Sequence, residues 1–425
     1  MNDTIFALSS GQPPAGIAVI RISGPSAAHA LATLAGKMPL ARRASFARLR
    51  DADGAPLDDA LVLWLPGPGT ATGEDIAELH LHGGRAVVRA VELALVRIEG
   101  LRSADAGEFT RRAFANGRID LAEAEGLADL LSAETELQRR SALAMVGGTL
   151  SRQVESWRAN LLMLGARVEA VLDFADEDDV AALPADFNLQ LDVLAGEIAT
   201  WLDRPHAEVL KDGFRVVLAG PPNAGKSTLF NALVESDAAI TAPTAGTTRD
   251  VITRPVALDG VPFTFVDTAG LHEGSEDAIE MIGIGRAHVE LDRADLVLWL
   301  GPEGAGPDGA WEIEAQIDRV GHSAKQSASH RLSAVNGEGL DKLRHALVAT
   351  ARKAMPKPGE AALNTRQREL VSATYEGLVG ARGEFDPLII AEHLRIARLA
   401  LDRLVGRATT EDMLDALFGR FCIGK

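Results

Sequence analysis

The sequence predicts a multidomain chain of α/β and α architecture, with a parallel-sheet domain inserted into a helical one behind an α+β N-terminal domain. Three observations carry this. At about 150 residues per domain, 425 residues suffice for two to three separate cores. From Phe214 the texture runs strand, Gly-rich loop, helix, strand, the alternation of a parallel sheet. Stretches rich in Ala, Leu, Glu and Arg with helical spacing flank that block on both sides, and insertion between them is sterically cheap when the guest's ends lie close together. The limits read this way are 1–118 for the N-terminal domain, 119–211 with 356–425 for the helical domain, and 212–355 for the insert.

Taken in order, Ile17–Ile22 (IAVIRI), Ala60–Leu65 (ALVLWL) and Ile76–Leu81 (IAELHL) read as strands and Arg85–Ile98 as a helix, bounded by Gly and Pro clusters. Leu121 to about His206 reads as helices, interrupted by the acidic, solvated stretch Asp173–Asp179. Phe214–Ala219, Val261–Val266 and Leu296–Leu300 read as strands, and Thr228–Val234 as a helix. After Met355-Pro356-Lys357-Pro358 the helical period returns: Ile390, Leu394, Ala397, Leu401 and Leu404 step by four and three residues and share one face. Thr409 with Asp412 offers a capping box for a last short helix.

Composition narrows the function classes. Hydrophobic residues are 47% and charged residues 24%, which suits a globular chain and neither a disordered nor a fibrous one. No apolar run approaches the roughly 18 residues of a spanning helix, and the first residues lack a basic, cleavable leader, so a chain that is neither membrane-embedded nor exported is expected. One cysteine, Cys422, cannot make an internal disulfide, which points to a reducing compartment and a cytoplasmic location. The net charge is −17; the first 120 residues balance at 13 basic and 13 acidic, so the whole surplus lies beyond them. A broad grip on nucleic acid is excluded, and any RNA contact is expected to be local or helped by a partner.

Gly220-Pro221-Pro222-Asn223-Ala224-Gly225-Lys226-Ser227 matches G-x-x-x-x-G-K-[ST] between a predicted strand and a predicted helix. In that setting the amides of Asn223, Ala224, Gly225 and Thr228 turn toward phosphates at a helix N-terminus. Lys226 reaches the β/γ-phosphates, and Ser227 offers a hydroxyl to Mg²⁺. Asp267, at the end of a strand in Asp267-Thr268-Ala269-Gly270, suits a water-mediated Mg²⁺ contact, and the Gly270 amide can approach a γ-phosphate. Between them lies Ala245-Gly246-Thr247-Thr248-Arg249-Asp250, where Thr248 would complete Mg²⁺ coordination only with the γ-phosphate present.

With these motifs the chain resembles a G-domain GTPase of the translation-factor-related class. Thr247 and Thr248 stand as the first switch, DTAG opens the second, and Ser333-Ala334-Val335 forms the base-facing loop. The guanine-reading [NT]-K-x-D is expected between Leu300 and Ser333. The segment Ala324-Lys325-Gln326-Ser327 keeps only its lysine, so the reading loses the Asp and with it secure GTP specificity, and local remodelling around Arg319–Ser329 is expected. Leu271 stands where many small GTPases carry a water-orienting glutamine.

Phe421-Cys422-Ile423-Gly424-Lys425, the inserted G domain, and the segments GIAVIRISG, TGEDIAELHLHGG and GEFTRRAFANGRIDLAEAE together resemble the MnmE (TrmE) family of tRNA modification GTPases over nearly the full length. The resemblance implies a homodimer formed through the N-terminal domain and a tetrahydrofolate one-carbon donor, 5,10-methylene- or 5-formyl-tetrahydrofolate. It also implies an MnmG-type flavoprotein partner in a heterotetramer, and GTP hydrolysis coupled to C5 modification of the wobble uridine (U34) of tRNA. It implies K⁺ activation in place of an arginine finger, with Asn223 and the loop oxygens of Ala242, Thr244 and Thr247 as ligands, and Glu280 as the residue that orients water beside Lys226 and Asp267. Arg21, Glu78, Arg118 and Lys425 correspond to folate contacts, while Cys422 stands either near the transferred carbon or as a buried hydrophobe. The rival readings are a ribosome-assembly GTPase and a nucleotide-binding scaffold with relaxed base specificity.

Overall fold

The computed structural model describes residues 3–173, 183–235, 252–267, 289–322 and 324–424. It divides into two compact units: Met1–Ala128 with Ser151–Ser156 and Arg398–Lys425, and Asp129–Leu150 with Trp157–Ala397. The acidic stretch Asp173–Asp179 falls outside the described residues beyond its first member.

In the first unit, β1 (Thr4–Leu8), β2 (Ile17–Ser23), β3 (Ser45–Arg50), β4 (Pro56–Leu65), β5 (Ile76–His82) and β6 (Leu101–Ser103) form one sheet in the order β3-β4-β5-β2-β1-β6. Its pairings are antiparallel except β1 with β6. The period of two in IAVIRIS sends Ala18, Ile20 and Ile22 inward, where they meet Leu31 and Leu34 of the helix Ala27–Ala35 and Val91 and Leu95 of the helix Arg85–Val96. On the opposite face the register sets Phe46, Leu61, His80 and Val19 in a row across four strands. Phe46 stays 67% exposed and Leu61 49%, so much of this face has no cover of its own.

Behind that sheet lies a buried ionic cluster. Arg112, fully buried on the helix Glu108–Ala115, donates to the Asp3 carbonyl and carboxylate, to Glu74 and to Glu108. Arg102 closes the cluster with bonds to Asp3 and Glu108. A buried guanidinium is tolerable only because three carboxylates surround it. The C-terminal tail docks in the same unit: Ile423 bridges Ala106, and Ser9 Oγ donates to the Gly424 carbonyl at 2.8 Å. Gly424 has φ +94°, and a Cβ there would lie 2.0 Å from the Leu8 carbonyl oxygen, so only glycine fits against β1. The last helix spans Glu411–Phe418 with Thr410 at its N-cap. The anticipated Thr409–Asp412 capping box does not form, because Thr409 Oγ1 turns back to the Gly406 carbonyl.

In the second unit, β7 (Phe214–Ala219), β8 (Ile252–Leu258), β9 (Val261–Asp267), β10 (Leu296–Trp299), β11 (Trp311–Glu314) and β12 (His330–Arg331) form a sheet in the order β12-β11-β10-β7-β9-β8. All neighbours are parallel except β8 with β9. Val216, Leu218, Phe263, Phe265, Leu298 and Ile313 pack with Leu229 of the helix Lys226–Glu235 and with Leu343 and Leu347 of the helix Leu340–Ala354. Parallel neighbours are usually joined by a crossover helix. Here residues 300–310 join β10 to β11 without one, and the described residues between β11 and β12 hold none either. A polar layer stands in its place: buried Lys325 donates to the Trp299 carbonyl at 2.9 Å and pairs with Glu312 at 2.6 Å, while Glu314 takes Arg331 and His322.

The unit also holds helical blocks from both sides of the insert in sequence. The helix Phe187–Leu202 packs on Thr365–Ala381, and Trp157 meets Trp201 edge to face at 5.8 Å. Of the five residues predicted to share a face along Pro387–Leu404, Ile390, Leu394 and Ala397 belong to this unit and Leu401 and Leu404 to the first, and all are buried. No helix among the described residues is long and apolar enough to cross a membrane.

Candidate functional site

The loop Gly220–Gly225 leaves β7 and enters the helix Lys226–Glu235, as the motif requires. Asn223 adopts φ +63° and Gly225 φ +93°; these left-handed turns fold the loop back on itself. Lys226 is 4% exposed, and its ammonium donates to the Gly220 and Pro221 carbonyls, both at 2.8 Å, so the charge is held inside the loop's curve. Burial pushes its pKa below the ordinary 10.5, with the negative charge of Asp267 opposing that shift. β9 runs beside β7, and its last residue, Asp267, is buried opposite Leu218. There Ser227 Oγ donates to Asp267 Oδ2 at 2.7 Å. Two hard oxygen donors this close to a phosphate loop fit Mg²⁺, which favours carboxylate, hydroxyl and phosphate oxygens. Ala224 is half-buried, and Thr228 is exposed in the first turn of the helix.

Ser333 and Ala334 follow β12. Ser333 is fully buried, and its Oγ accepts from the Val335 and Asn336 amides, which shapes the turn. Ser333 also bonds the side chain of Asp318, and that bond holds the Asp318 carboxyl below the usual carboxylate range. This corrects the reading of the base-facing strap. Lys325 is no base ligand, since its ammonium is consumed between β10 and Glu312. An acid that the reading passed over, Asp318, stands four residues past the end of β11, in Ala315-Gln316-Ile317-Asp318. The available signal was the place of this Asp just beyond a short strand, WEIE, that periodicity alone does not reveal.

Gln316 was likewise missed. Its Nε2 donates to the Asn223 carbonyl at 3.2 Å, and its side chain lies against Gly225, where a Cβ would come 3.1 Å from Nε2. Ala242, Thr244, Thr247, Thr248, Gly270 and Glu280 lie outside the described residues, as does Lys425.

A second set of candidates sits on the first unit. Arg21 and Glu78 are direct cross-strand partners on β2 and β5, and Arg21 Nε donates to Glu78 Oε1 at 3.0 Å. His80 Nε2 lies 3.3 Å from the other Glu78 oxygen, and the Arg21 guanidinium sits 6.0 Å over the Phe109 ring. Arg118 is exposed on the loop after the helix Glu108–Ala115, with its stem beside Gly73 rather than in the Arg21–Glu78 pair. Cys422 is exposed, which removes the buried-hydrophobe reading of it; the apolar anchor of the tail is Phe421.

Comparison with known proteins accounts for nearly the whole chain. A family model for the N-terminus of the GTP-binding protein TrmE matches residues 4–118, and one for the MnmE helical domain matches 121–422. The tRNA modification GTPase MnmE of Novosphingobium aromaticivorans is 64% identical over 437 aligned positions, covering 100% of both chains. That of Erythrobacter litoralis is 62% identical over 423, again covering 100% of both. That of Rhizorhabdus wittichii is 60% identical over 429, covering 100% of this chain and 97% of its own.

Proposed function

Because this chain belongs to the MnmE family of tRNA modification GTPases, we propose that it hydrolyses GTP on the loop 220–227 in the service of tRNA wobble-uridine modification. The observation that carries the reading is the Ser227–Asp267 pair at 2.7 Å beside a buried, inward-held Lys226. Ser227 and Asp267, with Thr248, would hold Mg²⁺, which offsets charge between the β- and γ-phosphates. Lys226 and the loop amides bind and orient the triphosphate, and Asp318 with Ser333 reads the base. An acid at 318 favours guanine, whose N1–H and amino group both donate, over adenine, and so argues against a scaffold of relaxed base choice. Full-length identity to tRNA-modifying relatives argues against a ribosome-assembly role.

The finer parts of the proposal follow. Asn223, Ala242, Thr244 and Thr247 would hold K⁺, which supplies the positive charge a guanidinium supplies elsewhere. Glu280 orients the attacking water. The exposed row of Phe46 and Leu61 on the open sheet face is the self-association surface of a homodimer. Arg21, Glu78, Arg118 and Lys425 bind the carboxylates and the pterin edge of a tetrahydrofolate donor, with Cys422 exposed in the tail that carries Lys425. An MnmG-type flavoprotein completes the tRNA-modifying assembly. The domain limits 1–118, 119–211 with 356–425, and 212–355 are part of the same proposal. The test is GTP turnover by the full chain in KCl and in NaCl, with Asn223→Ala beside the natural sequence. Activity that needs K⁺ and is lost in the variant supports the reading; equal turnover in both salts overturns its catalytic half.

A further inference from the structure

We propose that the cavity walled by Phe114, Val405 and Ser151 in the first unit is a receptor for an unpaired base of the tRNA. The inference rests on the tRNA reading above and deepens it by assigning a place where the RNA is held. The cavity has a volume of about 500 Å³, room for a nucleoside, and every residue that lines it belongs to the first unit. It shares no lining residue with the nucleotide loop or with the Arg21–Glu78 pair. Its apolar part is Phe114, Ile119 and Val405. The Phe114 ring is braced by Phe418, with centroids 6.1 Å apart, and by the bare backbone of Gly406, where φ is +85° and a Cβ would come 2.7 Å from the ring. An aromatic surface is therefore held in place at the wall.

The polar groups narrow the occupant. Ser151 Oγ is buried and has no hydrogen-bond partner among the described residues, so a ligand with a polar edge would satisfy it. At the rim Arg407 pairs with Glu155 at 2.7 Å, both side chains half-exposed. Arg152 and Asp120 line the same cavity, and the Asp120 carboxylate also accepts from the Glu123 amide. Two acids against two guanidiniums leave the rim neutral, which disfavours a free phosphate or carboxylate as occupant. A flat, uncharged ring with donors and acceptors on its edge fits. It lies on Phe114, gives its edge to Ser151, and leaves the guanidiniums to stack on it or to meet the flanking phosphates. Long-range charge agrees. The residues of this unit carry a net charge of −1, so nearly all of the chain's −17 lies on the other unit, and RNA is repelled least here.

The test is fluorescence anisotropy of the full chain with a labelled anticodon stem–loop RNA carrying U34, and with the same hairpin made abasic at each loop position in turn. Ser151→Leu, which fills the cavity, weakens binding of the intact hairpin about tenfold, the worth of one stacked base, while GTP turnover without RNA changes less than about twofold. One of the abasic hairpins binds the natural sequence about tenfold more weakly than the intact one and loses nothing further in the variant, because the same contact is already gone. Arg152→Ala, at an exposed position, weakens the intact hairpin about threefold and carries the test if Ser151→Leu misfolds. Unchanged affinity in both variants, or abasic hairpins that all bind like the intact one, overturns the base receptor and leaves a protein side chain as the occupant to seek. A natural-sequence protein that binds neither the hairpin nor whole tRNA overturns the tRNA reading instead, before any variant is compared.

Discussion

The two six-stranded sheets place their candidate residues by different means. On the N-terminal sheet, Arg21 and Glu78 sit mid-strand and meet because β2 and β5 are in register; the strand period alone decides which face they share. On the nucleotide sheet, Asn223, Asp267, Gln316, Asp318 and Ser333 all lie at or beyond the carboxyl ends of parallel strands, where turns rather than pleats aim them. A side chain on a strand face is anchored by its ladder. One in a turn depends on backbone conformations that need support from neighbouring loops, which is why Gln316 and Asn223 lean on each other. Stability and site chemistry are accordingly closer together in the first sheet than in the second.

The sharpest way to break this contrast is at Arg112. Arg112→Met leaves Asp3, Glu74 and Glu108 without their buried cation, and a loss of about 3–5 kcal/mol in denaturant unfolding of the first unit is expected. The pH dependence carries the same sign. Burial opposes ionisation of Glu108, but bonds from Arg102, the Asp105 amide and Arg112 outweigh it and hold the carboxyl below its ordinary 4.5. Its contribution is therefore full above about that value and fades as pH falls through the lowered one, and the variant's acid limb is flatter. If Arg112→Met unfolds like the natural sequence, the ionic cluster is not what secures this sheet.

Next in size is Asp318→Asn, which should leave the melting temperature unchanged because the side chain is in an exposed turn, while moving preference from GTP toward xanthosine triphosphate on the order of 10²-fold. Competition between the two nucleotides measures it directly, and an unaltered preference would return base choice to some other residue. The smallest effect on binding belongs to Arg21→Leu. The pair with Glu78 is partly exposed, so its removal should cost no more than about 1 kcal/mol in unfolding, whereas tetrahydrofolate binding, followed by calorimetry, should fall about tenfold. A large stability loss here would show that the pair secures the first sheet far more than its partial exposure indicates.

Much of this was legible in the residues. The phosphate loop was readable because Gly, Lys and Ser at fixed spacing between a strand and a helix serve one backbone shape, and the five residues of the Ile390 series because helical period and burial coincide. The helix-free connections around β11 were anticipated only as a remodelled stretch. Lys325 shows why: a lysine between loops looks solvated or ligand-facing in sequence, and only the carbonyl of Trp299 and the carboxylate of Glu312 reveal that it caps a sheet.

Local chemistry along the chain was thus enough to mark three textures and the strand, loop and helix around 220–227, since each depends on neighbours a few residues apart, while the family was legible as a resemblance of motifs spread over the whole chain. Which carboxamide braces Asn223, and why a glycine must stand in the tail beside Leu8, depend on groups 93 and 415 positions apart, brought within bonding range only by folding. Short-range periodicity carries no information about such meetings, because hydrogen bonds and steric limits act through space and not along the backbone.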